Sequence, residues 1–262
     1  MDLGLDGKIA LVCGASQGIG YAAAEDFARE GASLAICSRD STAISAAAAR
    51  LAPLGATVLS FAADLSTEEG IKTAVARTTE RFGRVDVLVT NTGGPPVGPP
   101  MGADWTAWTR ASELLLRSAV ELTRAFVPGM RERKWGRVIG ITSRAVKQPV
   151  AGLVLSNSLR AAVTGYFRTL ADEVAVDGVT VNTVLPGFTD TERLRSLADS
   201  TAKQQGTTRE AVYDRYRADT PSRRLGTPEE VSAVIAFLAS SRAAFITGQA
   251  ILVDGGSVRS LL

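Results

Sequence analysis

Short apolar runs rich in β-branched residues alternate along the chain with longer segments whose apolar positions recur every three or four residues. Seven runs read as strands: 8–14, 33–39, 57–65, 85–91, 136–143, 179–187 and 248–256. The segments between them read as helices. The first opens at Gly18 and ends at Gly31, and the second is Ala-rich and ends at Gly55. A long helix is expected from about Trp105 to Arg133, after a Gly/Pro loop, and another from about Leu153 to Ala175. Two helical pieces cover Asp190 to Asp219, and a helix with Thr227 as N-cap and Pro228 at N1 precedes the last strand. Strands that are apolar throughout and separated by helices predict a parallel sheet covered on both faces. With no linker or internal repeat, 1–262 is expected to form a single α/β domain, a doubly wound parallel sheet of about seven strands.

Composition narrows the function classes. Apolar residues make up 45% of the chain, and 29 basic residues face 27 acidic ones. That balance argues against a nucleic-acid or membrane-surface partner. No run of about 18 apolar residues exists to span a membrane. The start "MDLGLDGK" has no secretory pattern, so a cytoplasmic protein is expected. Cys13 and Cys37 fall inside predicted strands and read as small buried hydrophobes, not a disulfide. Histidine is absent, which removes Ser-His-Asp and Cys-His catalysis and every His-based metal site, so no metal is expected.

The stretch "ALVCGASQGIG" places Gly14, Gly18 and Gly20 between the first strand and its helix. Gly14 permits a tight turn, Gly18 lets backbone approach a pyrophosphate, and Gly20 lets helix and strand pack. The helix start offers free N–H groups and the positive end of a dipole. With its G-x-x-x-G-x-G spacing, the chain resembles the short-chain dehydrogenase/reductase family. Asp64 in "AADLS" matches that family's acidic residue beside the adenine. "TNTGG" is similar to its Asn-Asn-Ala-Gly motif, with Thr92 and Gly93 substituted. "LPGFTDT" resembles its Pro-Gly-x-x-x-Thr segment, whose threonine (here Thr191) binds the nicotinamide carboxamide. The resemblance covers nearly the whole chain and points to the 3-oxoacyl-carrier-protein reductase subgroup. It implies a dinucleotide site on Gly14, Ser16, Gln17, Gly18, Ile19 and Gly20, followed by Ser38, Arg39, Asp64 and Leu65. Asn91, Thr92, Gly93, Arg160, Pro186, Gly187, Thr189 and Thr191 complete it.

An NAD enzyme usually carries an acidic residue at the end of the second strand. Here Cys37 and Ser38 stand there and Arg39 follows. A guanidinium suits a 2′-phosphate by charge and by forked hydrogen bonds, so NADP(H) is favoured over NAD(H). The alternative is that Arg39 is a solvated turn residue or pairs with Asp40.

The chemistry is where the chain departs from the family it resembles. That family uses a tyrosine acid, a lysine, a serine and an asparagine. Ser143 matches the serine, but Ser156 and Arg160 stand at the tyrosine and lysine positions, and Leu115 or Leu116 at the asparagine. Ser156 and Arg160 are four apart and share a helix face. Serine is too weak an acid to ionise, and guanidinium stays charged. Lys147, four residues after Ser143, is a candidate acid, as is water. Tyr166 lies about 240° around the helix from Arg160 and reads as part of a core stripe with Leu155, Leu159, Ala162, Leu170 and Val174. The expected activity is NADP(H)-dependent hydride transfer on a small carbonyl or alcohol, an acyl thioester among the candidates, with a quinone or enone needing least help from an acid. The rival is a non-catalytic NADP(H)-binding sensor or partner subunit. The segment 190–224 is expected to cover the substrate, and the family resemblance implies a homotetramer or homodimer.

Overall fold

The computed structural model describes residues 2–261; Met1 and Leu262, the ends of the expected 1–262 domain, lie outside the described residues. Seven strands form one parallel sheet: β1 (Ile9–Cys13), β2 (Ser33–Ser38), β3 (Val58–Ala62), β4 (Val87–Thr90), β5 (Gly136–Ile141), β6 (Val179–Pro186) and β7 (Ala250–Val253). Their order is β3-β2-β1-β4-β5-β6-β7. The chain winds outward from β1 to β3, then crosses to the other side of β1 for β4. That reversal opens a crevice at the carboxyl ends of β1 and β4, where open α/β sheets bind ligands.

Alternate strand residues serve opposite faces. Ala10 and Val12 of β1 pack with α1 (Gly18–Arg29), α2 (Ser41–Leu51) and the last helix, while Leu11 and Cys13 face α3 (Glu68–Phe82) and its neighbours. Both cysteines are buried and free, as expected. The long helix after the Gly/Pro loop is α4 (Trp105–Ser112) and α5 (Ser118–Glu132), joined by a π-helical turn over Glu113–Arg117. Nothing in the residue pattern signals that wide turn, which falls at the leucine triplet 114–116.

The buried stripe of α6 (Val154–Val174) differs from the expected one. It runs Leu155, Leu159, Val163, Phe167, Ala171 and Val174, with Ala162, Tyr166 and Leu170 half-buried beside it. Gly140 of β5 explains the rotation: a Cβ there would lie 2.6 Å from the Phe167 ring, so the missing side chain admits Phe167 to the sheet.

Beyond β6, α7 (Glu192–Gln205) and α8 (Arg209–Asp219) pack on each other through Leu194, Ala198, Val212 and Tyr213. Phe188 ties this pair to the body, stacked on Tyr216 at 4.2 Å and capped by the Arg144 guanidinium at 4.4 Å. α9 (Pro228–Ala239) starts with the expected Thr227 cap, completed by Glu230 into a capping box. Among the described residues no helix is long and apolar enough to cross a membrane.

Candidate active site

A cleft of about 960 Å³ opens along the carboxyl ends of the strands. Its floor begins at the glycine loop. Gly14 and Gly18 hold φ of 59° and 60°, the left-handed region that favours glycine. A Cβ on Gly20 would stand 2.4 Å from the Gly14 carbonyl oxygen, so this pair fixes the approach of α1 to β1. Asn91 Nδ2 donates to the same oxygen at 3.2 Å, tying β4 to the loop. Gln17 caps α1 by position but makes no side-chain capping bond. The first N–H groups of α1 are therefore open to an anion, whereas α2, α3, α4, α7, α8 and α9 each satisfy one with an Asp or Thr side chain. Ser16, Gln17, Gly18 and Ile19 line the cleft; Gly20 is buried behind them. A Cβ on Gly18 would come within 3.3 Å of Thr191 Cγ2 across the slot. Only a bare backbone leaves room for a pyrophosphate there, so these residues fit a dinucleotide.

Ser38 and Arg39 line the cleft at the end of β2. Asp40 lines it too, with its carboxylate accepting from Ala43 N at 2.9 Å as the cap of α2. Arg39 makes no ion pair with any described residue, so the alternative Arg39–Asp40 pairing is not formed. Its guanidinium reaches over the cleft to within 3.9 Å of a Cβ position on Gly93. Asp64 is fixed by Ser66, whose backbone N–H and hydroxyl donate to it at 3.0 and 2.8 Å. Leu65, Asn91, Thr92 and Gly93 continue the lining, and Pro186, Gly187, Thr189 and Thr191 close the opposite wall. Sequence reading missed Arg50, which donates to the Ser16 carbonyl at 3.3 Å while stacked on Tyr21.

At the other end, β5 stops at Ile141 and Ser143 lies two residues beyond it. Its Oγ accepts from Ala145 N at 3.1 Å. One helical turn of α6 brings Ser156 and Arg160 to the same wall, as their spacing predicted. Arg160 Nε donates to Ser156 Oγ at 3.2 Å, and its Nη1 donates to the carbonyls of Ile141 and Thr142, both at 3.0 Å. Both serine oxygens thus accept from protein donors, which leaves each hydroxyl hydrogen free to be donated into the cleft. Burial first, and the nearby Arg193 charge second, push the Arg160 guanidinium down to about 10.

The π-turn settles which leucine faces the site. Leu115 is buried beside Arg160, Thr142, Asn91 and Ser118 around a second cavity of about 20 Å³, room for one water. Leu114 lines the main cleft, and Leu116 packs in the core.

Lys147 does not join the site. It is exposed at the end of the 3₁₀ turn that Ser143 caps, outside the lining of the cleft, because that turn (Arg144–Val146) directs the chain to solvent. Tyr166 is also excluded, its hydroxyl within 2.8 Å of Thr123 Oγ1 on α5. Arg193 is the functional candidate that the sequence did not single out. It stands in the first turn of α7, its Nη2 donating to Pro95 O at 3.0 Å across Gly94, and it lines the cleft. Its signal was weak: a lone arginine two residues after the Pro-Gly-x-x-x-Thr segment.

Comparison with known proteins agrees with this geometry. A family model described as enoyl-(acyl carrier protein) reductase matches residues 14–258. The 3-oxoacyl-[acyl-carrier-protein] reductase FabG of Vibrio cholerae is 37% identical over 254 residues, 97% of this chain and 98% of that protein. The chain belongs to the short-chain dehydrogenase/reductase family. It is an oxidoreductase of the short-chain type. The (2S)-[(R)-hydroxy(phenyl)methyl]succinyl-CoA dehydrogenase subunit BbsC of Thauera aromatica is 35% identical, with 96% of this chain and 94% of that one covered. Among solved structures, L-sorbose reductase of Gluconobacter frateurii, in complex with NADPH and L-sorbose, superposes with a TM-score of 0.94 at 36% identity over the full length of both chains.

Proposed function

We propose that this short-chain oxidoreductase uses NADP(H), in preference to NAD(H), to reduce a small carbonyl compound, and that it does so without an ionising tyrosine. The unpaired Arg39 at the end of β2, with the Asp40 carboxylate engaged as a helix cap, supports the cofactor choice. NADPH in the similar L-sorbose reductase agrees with it. The nicotinamide, when bound, supplies the hydride.

The observation that carries the chemistry is the Arg160–Ser156 bond. Because Arg160 occupies a lone pair of Ser156 Oγ, the serine hydrogen is available to the oxygen that becomes an alkoxide. Ser143 offers a second donor on the same terms. Two oriented O–H groups beside a half-buried cation stabilise developing negative charge without ionising themselves. Water delivers the final proton, and the cavity under Arg160 and Leu115 has room for one. Arg160, Asn91, Thr189 and Thr191 hold the nicotinamide side, and the glycine loop with Ser16, Gln17 and Ile19 holds the pyrophosphate. The 190–224 segment covers the substrate, with Leu194 and Leu197 already facing the cleft. Exposed Trp105 and Phe245 support assembly as a homodimer or homotetramer. A cytoplasmic location fits the reading.

The second reading is a nucleotide-binding partner subunit or sensor. The loss of tyrosine, lysine and asparagine at one end of an otherwise complete cleft favours it, and BbsC is itself named as a dehydrogenase subunit. NADPH consumption with 3-oxoacyl thioesters, diketones and quinones separates the two, with Ser156→Tyr/Arg160→Lys measured beside the native chain. Saturable turnover by the native protein is the expected result. Turnover by the double variant alone would overturn the catalytic reading in favour of the sensor.

A further inference from the structure

The catalytic end of the cleft holds two cations, and the nearest lining carboxylate, Glu192, pairs with Arg195 and with neither of them. Arg160 and Arg193 both line it. The cleft's acidic side chains are Asp40, Asp64 and Glu192, and each is engaged elsewhere. Asp40 caps α2, Asp64 holds Ser66, and Glu192 accepts from Arg195. Neither arginine makes an ion pair with any described residue, although Arg195, on the same helix as Arg193, pairs with Asp190 and Glu192.

Like charges placed together without a counter-ion are unfavourable, the more so where water is scarce. The cost is visible here: each guanidinium is depressed by lost hydration, and Arg193 depresses Arg160 further. Arg160 is committed through Nε and Nη1 to Ser156 and two carbonyls, which leaves Nη2 without a partner. Arg193 uses only Nη2, on Pro95 O, and keeps its other donors without a protein partner. Arg137 shows the contrast. It is 2% exposed, donates to the carbonyls of Ser240, Gly136 and Gly178, stacks on Trp135, and opens onto neither cavity. A structural arginine in this fold is closed off; the pair in the cleft is not.

We propose that the substrate carries a carboxylate next to its reacting carbonyl, an oxo acid or, in the reverse direction, the hydroxy acid, and that Arg193 grips this carboxylate with Arg160 beneath it. The inference rests on the oxidoreductase reading and narrows it, from carbonyl compounds in general to free acids over neutral thioesters. The carboxylate stays a spectator: hydride adds to the carbonyl carbon, a proton to its oxygen. Leu114, Leu153 and Leu197 supply the apolar wall for a short carbon chain. The other anion within reach is the cofactor's pyrophosphate. It has its own donors in the uncapped start of α1, whereas Arg193 is anchored on the loop after β4 and acts on Arg160 beside Ser156.

Calorimetric titration of the NADP⁺-saturated protein, at low salt, tests the idea without requiring turnover. The probes are lactate, 3-hydroxybutanoate and malate, each beside its methyl ester. At least one acid is expected to bind about tenfold or more tighter than its ester, the range of a charge-assisted hydrogen bond. Arg193→Leu and Arg193→Gln should erase that preference, leave ester binding within about twofold, and leave NADP⁺ binding unchanged; Arg193→Lys should restore part of it. Acid and ester binding alike, or no binding by either, would overturn the proposal. So would an equal loss of NADP⁺ affinity in the Arg193 variants, which would assign the residue to the pyrophosphate. Acid-selective binding with no NADPH oxidation by any matching oxo acid would instead sink the oxidoreductase reading and leave the anion site standing.

Discussion

The two ends of the cleft are built on different principles. The phosphate end works through backbone: glycines at positive φ, an uncapped helix start, and a Gly14–Gly20 contact that admits no side chain. The end proposed as catalytic is lined by side chains from separate elements: Ser143 after β5, Ser156 and Arg160 on α6, Leu115 from the π-turn, Arg193 on α7. A backbone device keeps its form while surface chemistry drifts. A side-chain device is rebuilt whenever one partner changes, because its neighbours must satisfy the vacated polar groups. At this end the Ile141 and Thr142 carbonyls are satisfied by the Arg160 guanidinium.

The broadest effect is expected at the backbone end, where stability and cofactor binding fail together. In Gly20→Ala the new Cβ meets the Gly14 carbonyl at 2.4 Å, with no flexible side chain to give way. Overpacking of this kind costs about 1–3 kcal/mol of stability. Thermal melting should show that loss, and NADPH fluorescence titration should no longer saturate where the native protein does. Native-like binding in this variant would break the comparison.

Next comes the side-chain end. Ser143→Ala removes one of two donors aimed at the developing oxyanion, so kcat should fall by about 10²–10³ with NADPH affinity unchanged. Ser156→Ala should do the same. If the two losses multiply in the double variant, the serines act separately; if the double variant is no worse than either, they act as one unit.

These two ends also explain what the sequence disclosed. The glycine loop, the strand–helix alternation of a doubly wound sheet, Asp64 and the Pro-Gly-x-x-x-Thr segment are local patterns with local physical causes. Ser156 and Arg160 were legible as a pair because four residues make one helical turn. Lys147 was misplaced because chain proximity to Ser143 said nothing about the 3₁₀ turn that leads it outward. Arg193 was overlooked because its value lies in a contact with Pro95, 98 residues away. The α6 stripe was drawn one position off because the deciding partner, Gly140, is on another element.

Arg39 sharpens the comparison as a charged side chain at the otherwise backbone-built phosphate end. Arg39→Ala should weaken NADPH binding by about 10- to 100-fold, the value of a charge-assisted phosphate contact, and leave NADH unaffected. Equal losses for both nucleotides would move Arg39 out of the 2′-phosphate site.

A pH series gives a smaller, few-fold effect at the catalytic end. Burial and Arg193 hold the Arg160 guanidinium near 10, so its positive charge is complete below about pH 9 and lost as pH rises through 10. Carboxylate binding to the NADP⁺ complex should therefore be flat from pH 7 to 9 and decline above. A decline centred below pH 8 would implicate another group.

The smallest effect is a control remote from both ends. Thr227 Oγ1 accepts from Glu230 N, and the Glu230 carboxylate accepts in return from Thr227 N at 2.9 Å while paired with Arg224. Thr227→Ala should cost about 1 kcal/mol, a shift in Tm of about 2–4 °C for a domain of this size, and leave nucleotide and acid binding untouched. Arg224 first, and the Thr227 N–H second, hold the Glu230 carboxyl down at about 2. Its contribution is therefore full above the ordinary carboxyl range near 4.5 and drains away as pH falls toward 2. Glu230→Gln should melt below the native protein at pH 7 and approach it near pH 2–3. If either variant altered cleft binding as well, α9 would be coupled to the site through the Gly226–Thr189 bridge. The two ends would then not be the independent devices that their construction implies.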